Sequence, residues 1–143
     1  MPLSGQTAHP PVLRLTLACN LAEVRRAALA LCQFLAGQGC TQKEMLDSEL
    51  ALVEACNNAI LHADEVGRRH PVLVEASCNP LEIELRITDH TSGFEMPEKA
   101  VLPGPDSERG RGLYLIQTLM DSADYKRGAA ENTLLLRKRR SLL

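Results

Sequence analysis

At 143 residues and 45% hydrophobic, with a formal net charge of −2, the chain has the length of one ordinary domain and enough apolar side chains for its own core. That balance gives no case for general nucleic-acid or membrane binding; no apolar run approaches the roughly 20 residues that cross a bilayer, and the start Met1-Pro2-Leu3-Ser4-Gly5 lacks a signal-peptide pattern, so the expected compartment is cytoplasmic. Aromatics amount to 3%, which leaves aliphatic side chains to fill the interior, and five scattered cysteines without a C-x-x-C pair read as reduced thiols rather than as disulfides or a zinc site.

Residues 1–10 are expected to be flexible. Val12 to Leu17 partly alternates apolar and polar side chains, as a half-buried strand does. Asn20 with Glu23 reads as a capping box opening a helix, with Leu21, Val24, Ala28, Leu31 and Leu35 on one face and Gly37 and Gly39 as its stop. Thr41 with Glu44 repeats the signal, and a second helix runs through Leu46, Leu50, Val53 and Leu61 to about His62, with Leu50, Val53 and Leu61 on its core side. Two strands, Val72 to Cys78 and Leu81 to Thr88, flank the turn at Asn79-Pro80. Residues 95–109, with Pro97, Pro103, Gly104 and Pro105, show no period and read as a loop. Gly112 to Met120 is helical with Leu113, Ile116, Leu119 and Met120 inward, Asp121 to Asp124 leads out, and Tyr125 to Arg127 with Thr133 to Arg137 form a hairpin around Gly128. The order β-α-α-β-β-loop-α-β-β implies one α/β domain over 1–143, an α+β two-layer sandwich whose mixed, mostly antiparallel sheet is covered on one face by helices.

Three short segments carry chemistry. Glu54 and Asn58, four apart, share a helix face that Asp47 and Ala51 extend; a carboxylate beside an amide suits a general base next to an Mg²⁺ ligand. Asp89 ends a strand and Gly93 follows, which suits a carboxylate accepting from an exocyclic amine beside a backbone that a flat ring can approach. Gly110 and Gly112, with Arg109 and Arg111, open a helix whose unpaired N–H groups and positive dipole end attract phosphate. There is no third Gly of a dinucleotide fingerprint and no G-K-[ST], so any phosphate site here is not a P-loop.

In combination these segments resemble a family. Glu54-x-x-x-Asn58-Ala59-Ile60-x-His62-Ala63 is similar to the N box, Asp89 to Phe94 to the G1 box, and Gly110 to Ile116 with Leu119-Met120-Asp121 to the G2 box of the GHKL (Bergerat-fold) ATPases, in particular the anti-sigma factor serine kinases of the RsbW and SpoIIAB type. The resemblance covers roughly Leu15 to Lys138. It implies ATP and Mg²⁺ as cofactors, Glu54 as base toward a protein serine, Asn58 as metal ligand, Asp89 and Gly93 at adenine, and Gly110, Arg111, Gly112 and Leu113 at the phosphates. It also implies Thr133 in the water network around adenine, His62 and Arg109 near the phosphates, and residues 95–109 as an ATP lid. The implied partners are a STAS-domain antagonist as substrate, a sigma factor and a second copy of the chain. Thr91 departs from the pattern by replacing the first Gly of D-x-G-x-G; a β-branched residue resists positive φ, so the expectation is a remodelled turn and a weakened nucleotide site.

The alternative function is a sequestering module with little catalysis. A third reading, the catalytic half of a two-component histidine kinase, shares these boxes but is not expected, because no phosphoacceptor hairpin is legible in these 143 residues. The run Arg137-Lys138-Arg139-Arg140 reads as the solvated end of an edge strand rather than a nucleic-acid contact.

Overall fold

A computed structural model describes residues 11–93, 96–100 and 111–141. Its elements are β1 (Val12–Leu17), α1 (Ala22–Gly37), α2 (Gln42–Leu61), a 3-10 turn at Gly67–Arg69, β2 (Val72–Cys78), β3 (Glu82–Asp89), α3 (Arg111–Leu119), β4 (Ser122–Arg127) and β5 (Asn132–Arg139). Ser122 to Asp124, read from sequence as the way out of a helix, already belong to β4.

The sheet order is β1-β2-β3-β5-β4, and every pairing among the described residues is antiparallel. The expected mixed sheet is therefore corrected. β3 and β4 do run in the same direction, as a strand-helix-strand unit requires, but β5 inserts between them and opposes both, so the parallel strands never meet.

Alternation decides the two faces of the sheet. Val72, Val74, Ala76 and Cys78 on β2, Ile83, Leu85 and Ile87 on β3, and Leu134 and Leu136 on β5 are buried beneath the helices. The opposite face carries cross-strand ion pairs, Arg14 to Glu75 at 3.1 Å and Arg137 to Glu84 at 3.4 Å, worth no more than about 1 kcal/mol each.

α2 packs with a different face from the one that hydrophobicity suggests. Leu46, Leu50 and Leu61 are exposed at 49%, 47% and 64%, whereas Ala51, Leu52, Ala55, Cys56, Ala59 and Ile60 are buried. Small side chains win because α2 lies against β2, β3, β5, α1 and α3 at once, and Ala at every fourth position lets these backbones approach. Leu21, assigned to the core of α1, is likewise exposed.

The capping box of Thr41 and Glu44 forms as expected. The one at Asn20 does not: Leu21 is the N-cap, and Asn20 instead accepts from Ala22 N at 2.7 Å through its side chain. All five cysteines are free, and burial pushes the Cys56 thiol up to about 12, which keeps it protonated.

The basic run is neither a solvated tail nor the end of an edge strand, since β5 lies inside the sheet. Lys138 Nζ pairs with Asp47 at 3.0 Å and donates to Leu119 O at 2.8 Å. Arg140 donates to Asn79 O at 2.9 Å and Gln38 O at 3.2 Å, and its Nε lies 3.7 Å from buried Glu44. These cations are spent on joining β5 to α1, α2 and the β2–β3 turn.

Burial opposes the charge on Glu44, but hydrogen bonds from Thr41 N and Ser141 N, together with Arg140, outweigh it and hold the carboxyl below its usual 4.5. A depressed carboxyl contributes stability that is present above about pH 4.5 and lost as pH falls through the folded value. Arg140→Ala is expected to cost about 3 kcal/mol in urea unfolding at pH 7, because it strips a buried carboxylate of its cation. The deficit should shrink once acid protonates Glu44; a deficit that stays constant to pH 3 would assign Arg140 a purely packing role.

Candidate nucleotide and phosphotransfer site

Two clusters form the site, and α2 joins them. The first is built where the start of α3 crosses α2. A Cβ placed on Gly112 would stand 2.9 Å from Glu54 Oε2 and 3.3 to 3.4 Å from the Asn58 amide, so the helix start lies close against both side-chain ends, and any larger residue here would push the carboxylate and the amide aside. Gly112 is buried, while Glu54 and Asn58 are half-buried on the same face of α2. A carboxylate, an amide oxygen and a helix N-terminus thus converge, as the sequence spacing implied.

The second cluster is the turn after β3. Asp89 Oδ1 accepts from Thr91 N at 3.0 Å, Thr91 Oγ1 at 2.9 Å and Asn132 Nδ2 at 3.0 Å. The Thr91 hydroxyl in turn accepts from Gly93 N at 3.1 Å, and Asn132 Nδ2 also donates to Thr91 O at 2.7 Å. From β4, Arg127 Nη2 donates to Ser92 O at 3.0 Å. Gly93 alone in this turn takes a positive φ, +81°, and a Cβ on it would meet Arg127 Nε at 2.8 Å and Asn132 Oδ1 and Tyr125 Oη at 3.1 Å. Thr91 is not in the left-handed region, since no described non-glycine residue is. The turn is held by side chains: the Thr91 hydroxyl, the Asp89 carboxylate, the Asn132 amide and the Arg127 guanidinium all bond within it.

Gly67 packs against the second cluster. It lies in the segment after α2, where Asp64 Oδ1 accepts its N–H at 2.6 Å, and a Cβ there would meet His90 O and Thr91 Cα at 3.3 Å. Sequence reasoning passed over it, since a lone Gly beside Pro71 signals only a turn.

Other expected site residues fall as follows. His62 is the exposed C-cap of α2, Arg111 is exposed at the start of α3, and Leu113 is half-buried on it. Asp47 does not extend the Glu54–Asn58 site, because it is bound to Lys43 and Lys138, and Ala51 is in the core. Phe94, Glu95, Arg109 and Gly110 lie outside the described residues, as do 101–110 in general. Of the expected lid, Met96 packs on the core, and Gln117 holds the adjoining backbone with bonds to Ala100 N at 2.5 Å and Pro97 O at 3.0 Å.

Thr133 is corrected. It pairs with Thr88 on the sheet face away from Asp89, and its neighbour Asn132, paired with Asp89, joins the Asp89 network instead. Period-two alternation held the signal, but the run Leu134-Leu135-Leu136 is apolar on both faces and hides its parity.

Two clefts of about 580 Å³ lie elsewhere, one between Ala100 and the outer side of α3, the other on the open sheet face. The first is lined by Glu98, Asp121 and Asp124, which repel a polyphosphate.

Comparison with known proteins agrees with this geometry. Residues 17–138 match the histidine kinase-like ATPase domain. An anti-sigma F factor of Clostridium perfringens is 31% identical over 119 residues, covering 80% of this chain and 85% of that protein. The serine-protein kinase RsbW of Bacillus subtilis is 33% identical over 92 residues, 58% of each chain. Among solved structures, the RsbU and RsbW domains of Rv1364c from Mycobacterium tuberculosis share the fold with a TM-score of 0.67 at 21% identity, over 91% of this chain and 32% of that one. The SiaB–SiaC complex of Pseudomonas aeruginosa does so with 0.63 at 16% identity, over 89% of both. The chain belongs to the histidine kinase-like ATPase domain family, in the branch that holds the anti-sigma F factors and the RsbW-type serine kinases.

Proposed function

We propose that the protein is an ATP-dependent protein serine kinase and anti-sigma factor, which phosphorylates a STAS-domain antagonist and thereby switches partners. The observation that supports the catalytic part is the close approach of Gly112 to Glu54 and Asn58, since it brings a carboxylate, an amide oxygen and a helix start together. Asn58 would hold Mg²⁺ through its side-chain oxygen, and the start of α3 would direct N–H groups and its positive end at the phosphates. Glu54 accepts the proton of the incoming serine hydroxyl. Asp89 accepts from the base, at the turn that Gly93 opens. Bound Mg·ATP supplies the phosphoryl group and neutralises the charge that develops on transfer.

The outer face of the helical layer supports a protein-binding role, for it exposes Leu29, Leu46 and Leu50. We assign the sigma factor and a second copy of the chain to the partners on the same footing, with the whole chain acting as one domain in the cytoplasm. No helix among the described residues is long and apolar enough to cross a membrane.

The test is to incubate the protein with ATP, Mg²⁺ and the STAS-domain protein encoded beside it. Phosphoserine on that partner is the expected product. No transfer above an EDTA control, with tight partner binding retained, would leave the sequestering module as the function.

A further inference from the structure

We propose that Thr91 and Asn132 determine nucleobase specificity, by saturating one oxygen of Asp89 so that the carboxylate offers only the other to a ligand. This rests on the ATP reading above. The geometry is unusually one-sided: all three donors on Asp89 converge on Oδ1, and no described donor meets Oδ2. A carboxylate oxygen has about two lone-pair sites, so Oδ1 has no acceptor capacity left for a base.

The amide orientation of Asn132 follows from its neighbours. Its nitrogen stands between two acceptors, Asp89 Oδ1 at 3.0 Å and Thr91 O at 2.7 Å, and only an NH₂ group can satisfy both. Asn132 is 2% exposed and sits opposite Asp89 in the β3–β5 ladder, which fixes it by strand register. Thr91 is fixed by its own two bonds, one donated to Asp89 and one accepted from Gly93.

A carboxylate with one free oxygen matches a base edge that presents a single donor. Adenine offers its N6 amino group, whereas guanine has an acceptor, O6, at the equivalent place. Guanine can bind a carboxylate through its paired N1–H and N2–H donors, but that mode needs both oxygens. Thr91 and Asn132 deny it the second. Thr91 therefore improves the discrimination of the site, in contrast to the weakened site expected from the missing glycine.

The experiment measures ATP and GTP dissociation constants by fluorescent-nucleotide displacement for the full chain, for T91V and N132L singly, and for the doubles T91V/N132L, T91V/N132A and T91S/N132L. Valine keeps the shape and β-branching of Thr91 and removes only the hydroxyl. Each single variant leaves two donors on Oδ1 and should keep the native ratio. T91V/N132L leaves only the N–H of residue 91, frees one lone-pair site and should lower the preference for ATP over GTP by about tenfold, the worth of one hydrogen bond to a charged group. T91S/N132L, which keeps the hydroxyl, should retain the native ratio. If T91V/N132L keeps the ratio, or loses both affinities in parallel, the specificity role is overturned and the two residues merely hold the turn. Should T91V/N132L fail to fold, the ratio in T91V/N132A decides. A wild-type protein that binds neither nucleotide would overturn the ATP reading itself, which is a distinguishable result.

Discussion

Glu54→Ala is expected to slow phosphoryl transfer to the STAS partner by ~10²–10⁴-fold, the usual worth of a positioned general base, while ATP affinity stays within about threefold. The separation follows from where the side chain lies. Glu54 is half-buried on α2, and its Oε2 borders the place a Cβ on Gly112 would occupy, at the start of α3 where the phosphates are proposed to lie. Its removal takes away a proton acceptor without removing an attractive contact to the nucleotide. Single-turnover phosphorylation and nucleotide titration of the same preparation check this. A parallel collapse of ATP binding would mean that Glu54 holds the α2–α3 crossing together rather than moving a proton.

Gly112→Val should act on the other half of the cycle and weaken ATP binding by roughly 10- to 100-fold, the equivalent of the ~1–3 kcal/mol that overpacking costs. The new Cβ would stand 2.9 Å from Glu54 Oε2 and 3.3 Å from Asn58 Nδ2, so either the carboxylate and the amide swing away or the start of α3 lifts. Both responses break the alignment of Asn58, the proposed metal ligand, with the helix N-terminus. Gly37→Ala is the control, because nothing lies within 4 Å of a Cβ there and α1 ends at that residue. It is expected to bind ATP as wild type does. Equal affinities for Gly112→Val and Gly37→Ala would remove the crossing from the nucleotide site.

The two glycines that matter most were legible for different reasons. Gly112 stood out because it opens a predicted helix beside arginines, a short-range pattern. Gly93 stood out because it follows a strand-ending Asp. Neither pattern says what the missing Cβ would strike, and that depends on residues such as Asn58 and Asn132, distant along the chain.

Errors of face share one cause. α2 was assigned by counting leucines, yet the helix buries alanines, because close approach to several elements at once favours small side chains over large ones. Thr133 was assigned by motif position, yet its register partner is Thr88, and one residue in a strand is a whole change of face. The basic run was assigned by charge alone, yet buried Glu44 and Asp47 wait for it on α2.

By itself, the sequence determined the element order, the capping box of α2, and the three candidate segments and their order along the chain. Those features rest on neighbours within a few residues, where propensity, capping and motif spacing act directly. Tertiary structure alone decided that β5 separates the parallel strands, that Gly112 locks onto Glu54 and Asn58, and that Asn132 and Thr91 take one oxygen of Asp89. These depend on register and on distances between segments far apart in the chain, which no local pattern encodes.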